Sequence, residues 1–251
     1  IPFSFISYCF ARVPTRIIGG ELTTIEHHTS LVQLEYFLDV VNIWSDSCAG
    51  SILNSRYILT AAHCLGDIIQ WRVRAGTSYL GVGGQTVDVL RWIVHPSFGQ
   101  FEKEFDISLL ELQGSLIYSA VVQQATIPPQ GYEVPDNSPV VYAGWGSIST
   151  DKFERSHQLR DVTVYTVNNE LCRDNYGVLD PPRIVTDTMI CAGIIGEGGK
   201  DACGGDSGGP LYYSNVLVGV ISWSHGCANG TYPGVNTKVA SYTNWIVETA
   251  V

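Results

Sequence analysis

The chain is 251 residues long, enough for one large domain or two small ones, and either buries a sound core. Apolar residues make up 45% and charged residues 15%, a globular balance poor in charge and rich in the Tyr, Val, Ile, Thr and Gly that suit strands and turns. A formal charge of -10 leaves no basic patch to neutralise phosphates, which excludes nucleic acid as a partner, and no apolar run approaches the ~18 residues of a membrane-spanning helix.

Residues 1–11, IPFSFISYCFA, are apolar and uncharged. They read as the tail of a secretory signal peptide, with the small residues Cys9 and Ala11 placing the cut after Ala11; the alternative is an ordinary N-terminal strand. RVPTR (12–16) follows, then IIGG, so Arg16 before Ile17 is a natural target for an enzyme that cuts after basic residues. Loss of residues 1–16 removes Arg12 and Arg16 and no acid, taking the charge from -10 to -12.

In the body, alternating or β-branched apolar stretches at 31–36 (LVQLEY), 162–167 (VTVYTV) and 216–222 (VLVGVIS) predict strands, separated by Gly, Pro, Asn and Asp clusters in the manner of an all-β sandwich or barrel. The segment 125–139, ATIPPQGYEVPDNSP, carries four prolines and cannot be a central strand, so it reads as a connector between halves at about 17–124 and 140–251. The one expected helix runs from about Val239 to Thr249, with Tyr242, Trp245, Ile246 and Thr249 on one face. Of seven cysteines, six lie in the body and none shows paired metal-ligand spacing. Three disulfides in an oxidising, extracellular compartment are expected, with no structural zinc. Spacing alone leaves the pairing open.

Three segments carry chemistry: TAAHC (60–64), DISLL (106–110) and GGDSGGP (204–210). Singly, each has a plain explanation as a structural histidine, a turn acid or a glycine loop. Together they supply one apparatus. A serine hydroxyl needs an adjacent base to become a nucleophile at neutral pH; the imidazole of His63 titrates in the useful range. A buried Asp106 carboxylate would fix its tautomer, and Ser207 would attack. The glycines let the backbone turn so that the N–H groups of Gly205 and Ser207 point at a developing oxyanion, each donor worth on the order of 3 kcal/mol of barrier.

With IIGG, GWG (144–146) and SWSHGCA (222–228) added in the same order, the chain resembles the chymotrypsin–trypsin family of serine proteases from Ile17 to its end. The resemblance implies an all-β fold of two six-stranded antiparallel β-barrels with a C-terminal α-helix, the triad His63, Asp106 and Ser207 at their junction, and the pairings Cys48–Cys64, Cys172–Cys191 and Cys203–Cys227. It implies activation by cleavage after Arg16, the new Ile17 ammonium pairing with Asp206. It also implies a specificity pocket with Asp201 at its base, Gly234 in its wall, and Ser222, Trp223 and Ser224 beside it. Asp201 would receive Arg or Lys through a charge-assisted pair. The expected partners are protein or peptide substrates with Arg or Lys before the scissile bond and protein protease inhibitors. A secreted monomer with no cofactor, nucleic acid or membrane partner is expected.

Some positions depart from the family pattern. Ser224 stands where Gly is usual, Asn236 where trypsins commonly carry Tyr, Gly204 in place of Gln at the pocket lip, and Ala49 in place of Gly. They leave open a chymotrypsin-like specificity in the same fold; an inactive binding homologue is disfavoured by the complete triad, and a dedicated cascade protease by the short propeptide. The loop 75–89 holds only Asp88 as an acid, so no calcium site is expected there. Asn229-Gly230-Thr231 is a glycosylation sequon. His27, His28, His95, His157 and His225 lack ligand spacing and read as structural or solvated. The balance of ten Arg to four Lys is similar to insect digestive trypsins working in alkaline fluid.

Overall fold

The computed structural model describes residues 17–66, 70–100, 103–150 and 152–251. The expected signal remnant (1–11) and propeptide (12–16, with Arg16) lie outside the described residues.

The first barrel is built from β2 (Leu31–Leu38), β3 (Ile43–Ile52), β4 (Tyr57–Thr60), β5 (Trp71–Ala75), β6 (Gln85–Val94) and β7 (Ser108–Leu112), preceded by the short β1 (Glu21–Leu22). Its strands close antiparallel in the order β2-β3-β4-β7-β6-β5, with β5 returning to β2 through Val32↔Ala75 and Tyr36↔Trp71. Sequence alternation explains which face turns inward. In β5, Trp71, Val73 and Ala75 are buried while Arg72 and Arg74 between them are not. The two arginines lie outside the barrel and clasp the carboxylate of Glu35, itself turned outward after a register shift between Leu34 and Glu35.

The second barrel uses β8 (Pro139–Gly144), β9 (Arg160–Val167), β10 (Met189–Gly193), β11 (Pro210–Tyr213), β12 (Val216–Trp223) and β13 (Gly234–Lys238). The order β9-β10-β13-β12-β11-β8 is closed by the pairing of β8 with β9, and β1 adds to β9 at Glu21↔Asp161. Residues 125–138 belong to no strand of either barrel, and Pro139 opens β8, at a strand's first residue where a missing N–H is tolerated.

Two helices interrupt the sheets. One was not foreseen: α1 (Asn169–Gly177), begun by Asn168, whose side chain accepts from the N–H groups of Glu170 and Leu171. The helix expected from Val239 to Thr249 is instead a 3-10 turn (Val239–Ser241) followed by α2 (Thr243–Thr249). The break falls at Tyr242, whose φ of -123° is not helical, and Thr243 there gives its hydroxyl to Pro128 O at 2.9 Å instead of pointing to solvent. The anticipated face survives the break. Tyr242 and Ile246 join the core of the first barrel with Trp245 packed alongside, so the end of the chain straps one barrel to the other. The disulfides are Cys48–Cys64, Cys172–Cys191 and Cys203–Cys227, the pairing that the resemblance implied.

Candidate active site

His63 sits on a 3-10 turn, Ala62–Cys64, directly after β4. Ala61 and Ala62 are buried, which requires small side chains, and Cys64 anchors the turn to β3 through Cys48. Asp106 stands two residues before β7 and is wholly buried. One of its carboxylate oxygens accepts the His63 backbone N–H at 2.8 Å; the other faces His63 Nδ1 at 2.7 Å and also takes the Ser222 hydroxyl. Burial by itself pushes this carboxyl upward, but the hydrogen bonds from His63 and Ser222 and the nearby imidazole hold it below the usual carboxylate range. It therefore stays an anion, with the ring oriented so that Nε2 is free. The peptide oxygen of Asp106 is fixed as well, by the Thr237 hydroxyl at 2.8 Å.

Ser207 lies in the tight loop between Cys203 and Gly209, where Asp206 N–H donates to Cys203 O and Gly209 N–H to Asp206 O, both at 2.9 Å. Gly208 has a φ of +75°, and a Cβ there would come within 2.1 Å of Thr60 Oγ1 and 2.6 Å of Ala49 O. Only glycine lets this loop press so closely on the strand that leads to His63. Ala49 N–H donates to Ser207 O at 2.8 Å, and the Ala49 methyl faces Gly209, which has no side chain to meet it. The structure thus brings the loop of Ser207 against the turn of His63. Gly205 adopts φ +96°, its carbonyl turned back to accept from Arg155 Nη2 at 3.0 Å. Among the described residues, the N–H groups of Gly205 and Ser207 have no protein acceptor.

Beside Ser207 opens a cavity of about 200 Å³, lined among others by Tyr142, Asp201, Trp223, Ser224, Gly234 and Asn236. Asp201 is 2% exposed at its base. Burial pushes its carboxyl up to about 7, against the opposing effect of the Ala228 and Ala202 N–H groups that it accepts from. A Cβ on Gly234 would sit 2.9 Å from Asp201 Oδ1, so any larger residue would close the way to the carboxylate. Ser222 is turned away from the cavity towards Asp106, whereas Trp223 and Ser224 form the wall, the latter held by Arg183 Nη1 on its carbonyl. The Cys203–Cys227 bridge ties the loop of Ser207 to this wall.

Asp206 is buried, its two oxygens accepting from Gly146 N–H at 2.7 Å and Cys203 N–H at 3.0 Å. Burial raises its carboxyl to about 6, with those two N–H groups and Arg155 acting the other way. Glycine is obligatory at 144 and 146, where a Cβ would collide with this carboxylate at 2.1 and 2.2 Å; the GWG motif is its cradle. Ile17 is fully buried in the same apolar cluster as Tyr142 and Ala202, and Ile18 pairs with Asp201.

Of the remaining histidines, His28 is buried and pairs with Asp161 at 2.8 Å, His95 stacks on Phe105, and His27, His157 and His225 are exposed, the last meeting Tyr232 edge-on. Among the described residues the only group with metal-ligand proximity is Cys48, His63 and Cys64. The two cysteines form a disulfide and offer no thiolate. Asn229 of the sequon accepts from the N–H groups of Thr231 and Tyr232, closing its own turn. Three participants were not singled out from sequence: Tyr142, Arg155 and Thr237. Alternation marks Tyr142 as inward-facing, but nothing local connects any of the three to the site.

Residues 17–246 match the family model described as Trypsin. The chain is 42% identical over 235 residues to "Trypsin, alkaline A" of Manduca sexta, covering 93% of this chain and 90% of that protein. It is 38% identical over 254 residues to "Trypsin CFT-1" of Choristoneura fumiferana, covering 98% of each, and 41% identical over 206 residues to "Hypodermin-B" of Hypoderma lineatum, covering 81% and 77%.

Proposed function

This chain belongs to the trypsin family of serine endopeptidases, and from that premise we propose that it hydrolyses peptide bonds after arginine and lysine, as a secreted monomeric digestive enzyme released from a precursor by cleavage after Arg16. The observation that carries the specificity is Asp201, a buried carboxylate at the base of a cavity that opens at Ser207. A carboxylate without a cation is costly in such a site. A substrate guanidinium or ammonium supplies the missing charge, and the planar guanidinium does so with two parallel hydrogen bonds.

With the substrate side chain seated there, its carbonyl carbon is delivered to Ser207. Ser207 Oγ attacks while His63 Nε2 takes its proton, and Asp106 stabilises the imidazolium that results. The carbonyl oxygen becomes an oxyanion and takes the free N–H groups of Gly205 and Ser207. His63 then returns the proton to the leaving amine, an acyl-enzyme on Ser207 remains, and water activated by His63 releases the acid. Arg155, by drawing the Gly205 carbonyl backwards, favours the orientation in which that residue's N–H faces the oxyanion.

Activation follows from the same accounting. Asp206 is buried with two N–H partners and a carboxyl raised towards 6, so a free Ile17 ammonium adjoining Tyr142 and Ala202 would stabilise the loop that carries Ser207. A role in alkaline fluid is supported by the name of the Manduca sexta relative and by the excess of Arg over Lys. The test compares protein with a free Ile17 amine and protein acetylated at that amine. The free form labels at Ser207 with a serine-directed phosphonate and cuts an unfolded protein after Arg and Lys, as read by mass spectrometry; the acetylated form does neither. Cleavage after other residues sinks the specificity, and full activity of the acetylated form sinks the activation mechanism.

A further inference from the structure

Asn236 stands where trypsins commonly carry tyrosine, and the cavity floor shows what takes over the space. The Asn236 side chain is 1% exposed. Its Nδ2 donates to Tyr142 Oη at 2.8 Å, Ile190 O at 3.0 Å and Gly234 O at 3.4 Å. The two carbonyls settle which end of the amide is nitrogen, because an oxygen there would face two acceptors with no proton between. Towards Asn236 the Tyr142 hydroxyl is therefore an acceptor. One lone pair is committed, leaving a second lone pair and the proton.

Tyr142 comes from β8, a strand that does not neighbour β13. Its ring belongs to the same buried cluster as Ile17, Leu211 and Val218, and it lines the cavity. Tyr142 Oη and Asp201 Oδ1 lie equally close, 2.9 Å each, to the point where Gly234 would carry a Cβ. A glycine at 234 therefore keeps two oxygens uncovered, not one. Burial and the adjoining Asp201 charge both push the phenol well above its ordinary range, so it is a neutral hydroxyl at every working pH.

We propose that Tyr142 is a specificity-determining residue, its hydroxyl oriented by Asn236 to accept an N–H from the substrate's cationic head next to the Asp201 carboxylate. The chemistry favours such a contact. A guanidinium carries five N–H donors and a carboxylate accepts two of them side by side; a further donor carried into a closed cavity is costly unless it finds an acceptor. Ala202, alongside Asp201 in the lining, has no side-chain acceptor to give. In this account Asn236 is no defect of the pocket. A tyrosine supplied from β8 and an asparagine from β13 divide the task of one larger residue, and the cavity keeps its preference for a cation.

This inference rests on the Arg/Lys reading above, and one experiment separates the two. Wild type and Tyr142→Phe are compared on peptide amides with Arg or Phe before the scissile bond, with active enzyme counted by phosphonate titration of Ser207, and on binding of benzamidine as a free amidinium probe. Loss of one hydrogen bond to a charged group predicts about a tenfold rise in KM for the Arg substrate and in the benzamidine Kd, with kcat within about twofold. The Phe substrate is unaffected. An unchanged KM and Kd in Tyr142→Phe, in an enzyme whose wild type prefers Arg, overturns the inference alone; a wild type that prefers Phe overturns the underlying reading. If Tyr142→Phe does not fold, 3-fluorotyrosine placed at 142 reports by fluorine NMR. A resonance that moves on saturation with benzamidine supports the contact, and one that stays fixed refutes it.

Discussion

Asp201 has two backbone N–H partners and a carboxyl raised by burial to about 7. Tyr142, Tyr176 and Asp206 interact with it among the described residues, and none of these three brings a positive charge. A cation binds only the ionised form. Benzamidine affinity is therefore expected to be constant above pH about 8 and to fall as pH drops through 7, approaching tenfold per pH unit below it. Asp201→Ser should bind weakly at every pH with no such slope; a wild-type Kd independent of pH between 5 and 9 would contradict the assignment. The candidate residues named from sequence lie in short motifs, and in two of these the neighbouring glycines have a steric reason to be there. Gly208 faces Thr60 and Ala49, and the glycines of GWG face Asp206. Tyr142, Thr237 and Arg155 act through single contacts to residues at least 50 positions away. Contacts of that kind leave no local pattern.

Strands were legible where one face is wet. In the expected stretch 162–167, Val162 and Val164 are buried and Thr163 and Tyr165 exposed, the alternation failing only at its end, where Thr166 and Val167 are both buried. Helix α1 was not, because its segment NELCRDNYG buries only Cys172 and Tyr176 and has no apolar stripe. It is held instead by its cap, by the Cys172–Cys191 bridge and by the Tyr176 hydroxyl on Pro233 O. The cap should matter accordingly. Asn168→Ala strips the acceptor from the Glu170 and Leu171 N–H groups and the donor from the bond to Asp136. A loss of about 1 kcal/mol is expected, seen as a fall of roughly 2–4 °C in Tm with cleavage rates unchanged. An unaltered Tm would show that the bridge alone fixes the helix. The C-terminal helix was anticipated in its apolar face but not in its break at Tyr242, beside which the Thr243 hydroxyl reaches Pro128 O in the connector.

At the scale of the whole molecule, two six-stranded barrels were expected from the family resemblance, and no pattern within a single strand specifies how each barrel closes. The pairings that shut each barrel, β2 with β5 and β8 with β9, depend on register between strands and not on anything within one. Closure is nevertheless what makes the site. His63 and Asp106 belong to the first barrel, Ser207 and the pocket to the second, and Tyr242 and Ile246 pack into the first barrel's core. The acid balance of the whole, -10, suits attraction of cationic substrate segments without adding selectivity of its own. The proposed selectivity rests on the cavity floor, so the most direct measurement is kcat/KM for matched peptide amides bearing Arg, Lys, Phe or Ala before the scissile bond, using protein with a verified free Ile17. The account predicts rates at least about a hundredfold higher for Arg and Lys, the scale of one desolvated charge pair. Equal rates across the four, or a preference for Phe, would contradict it.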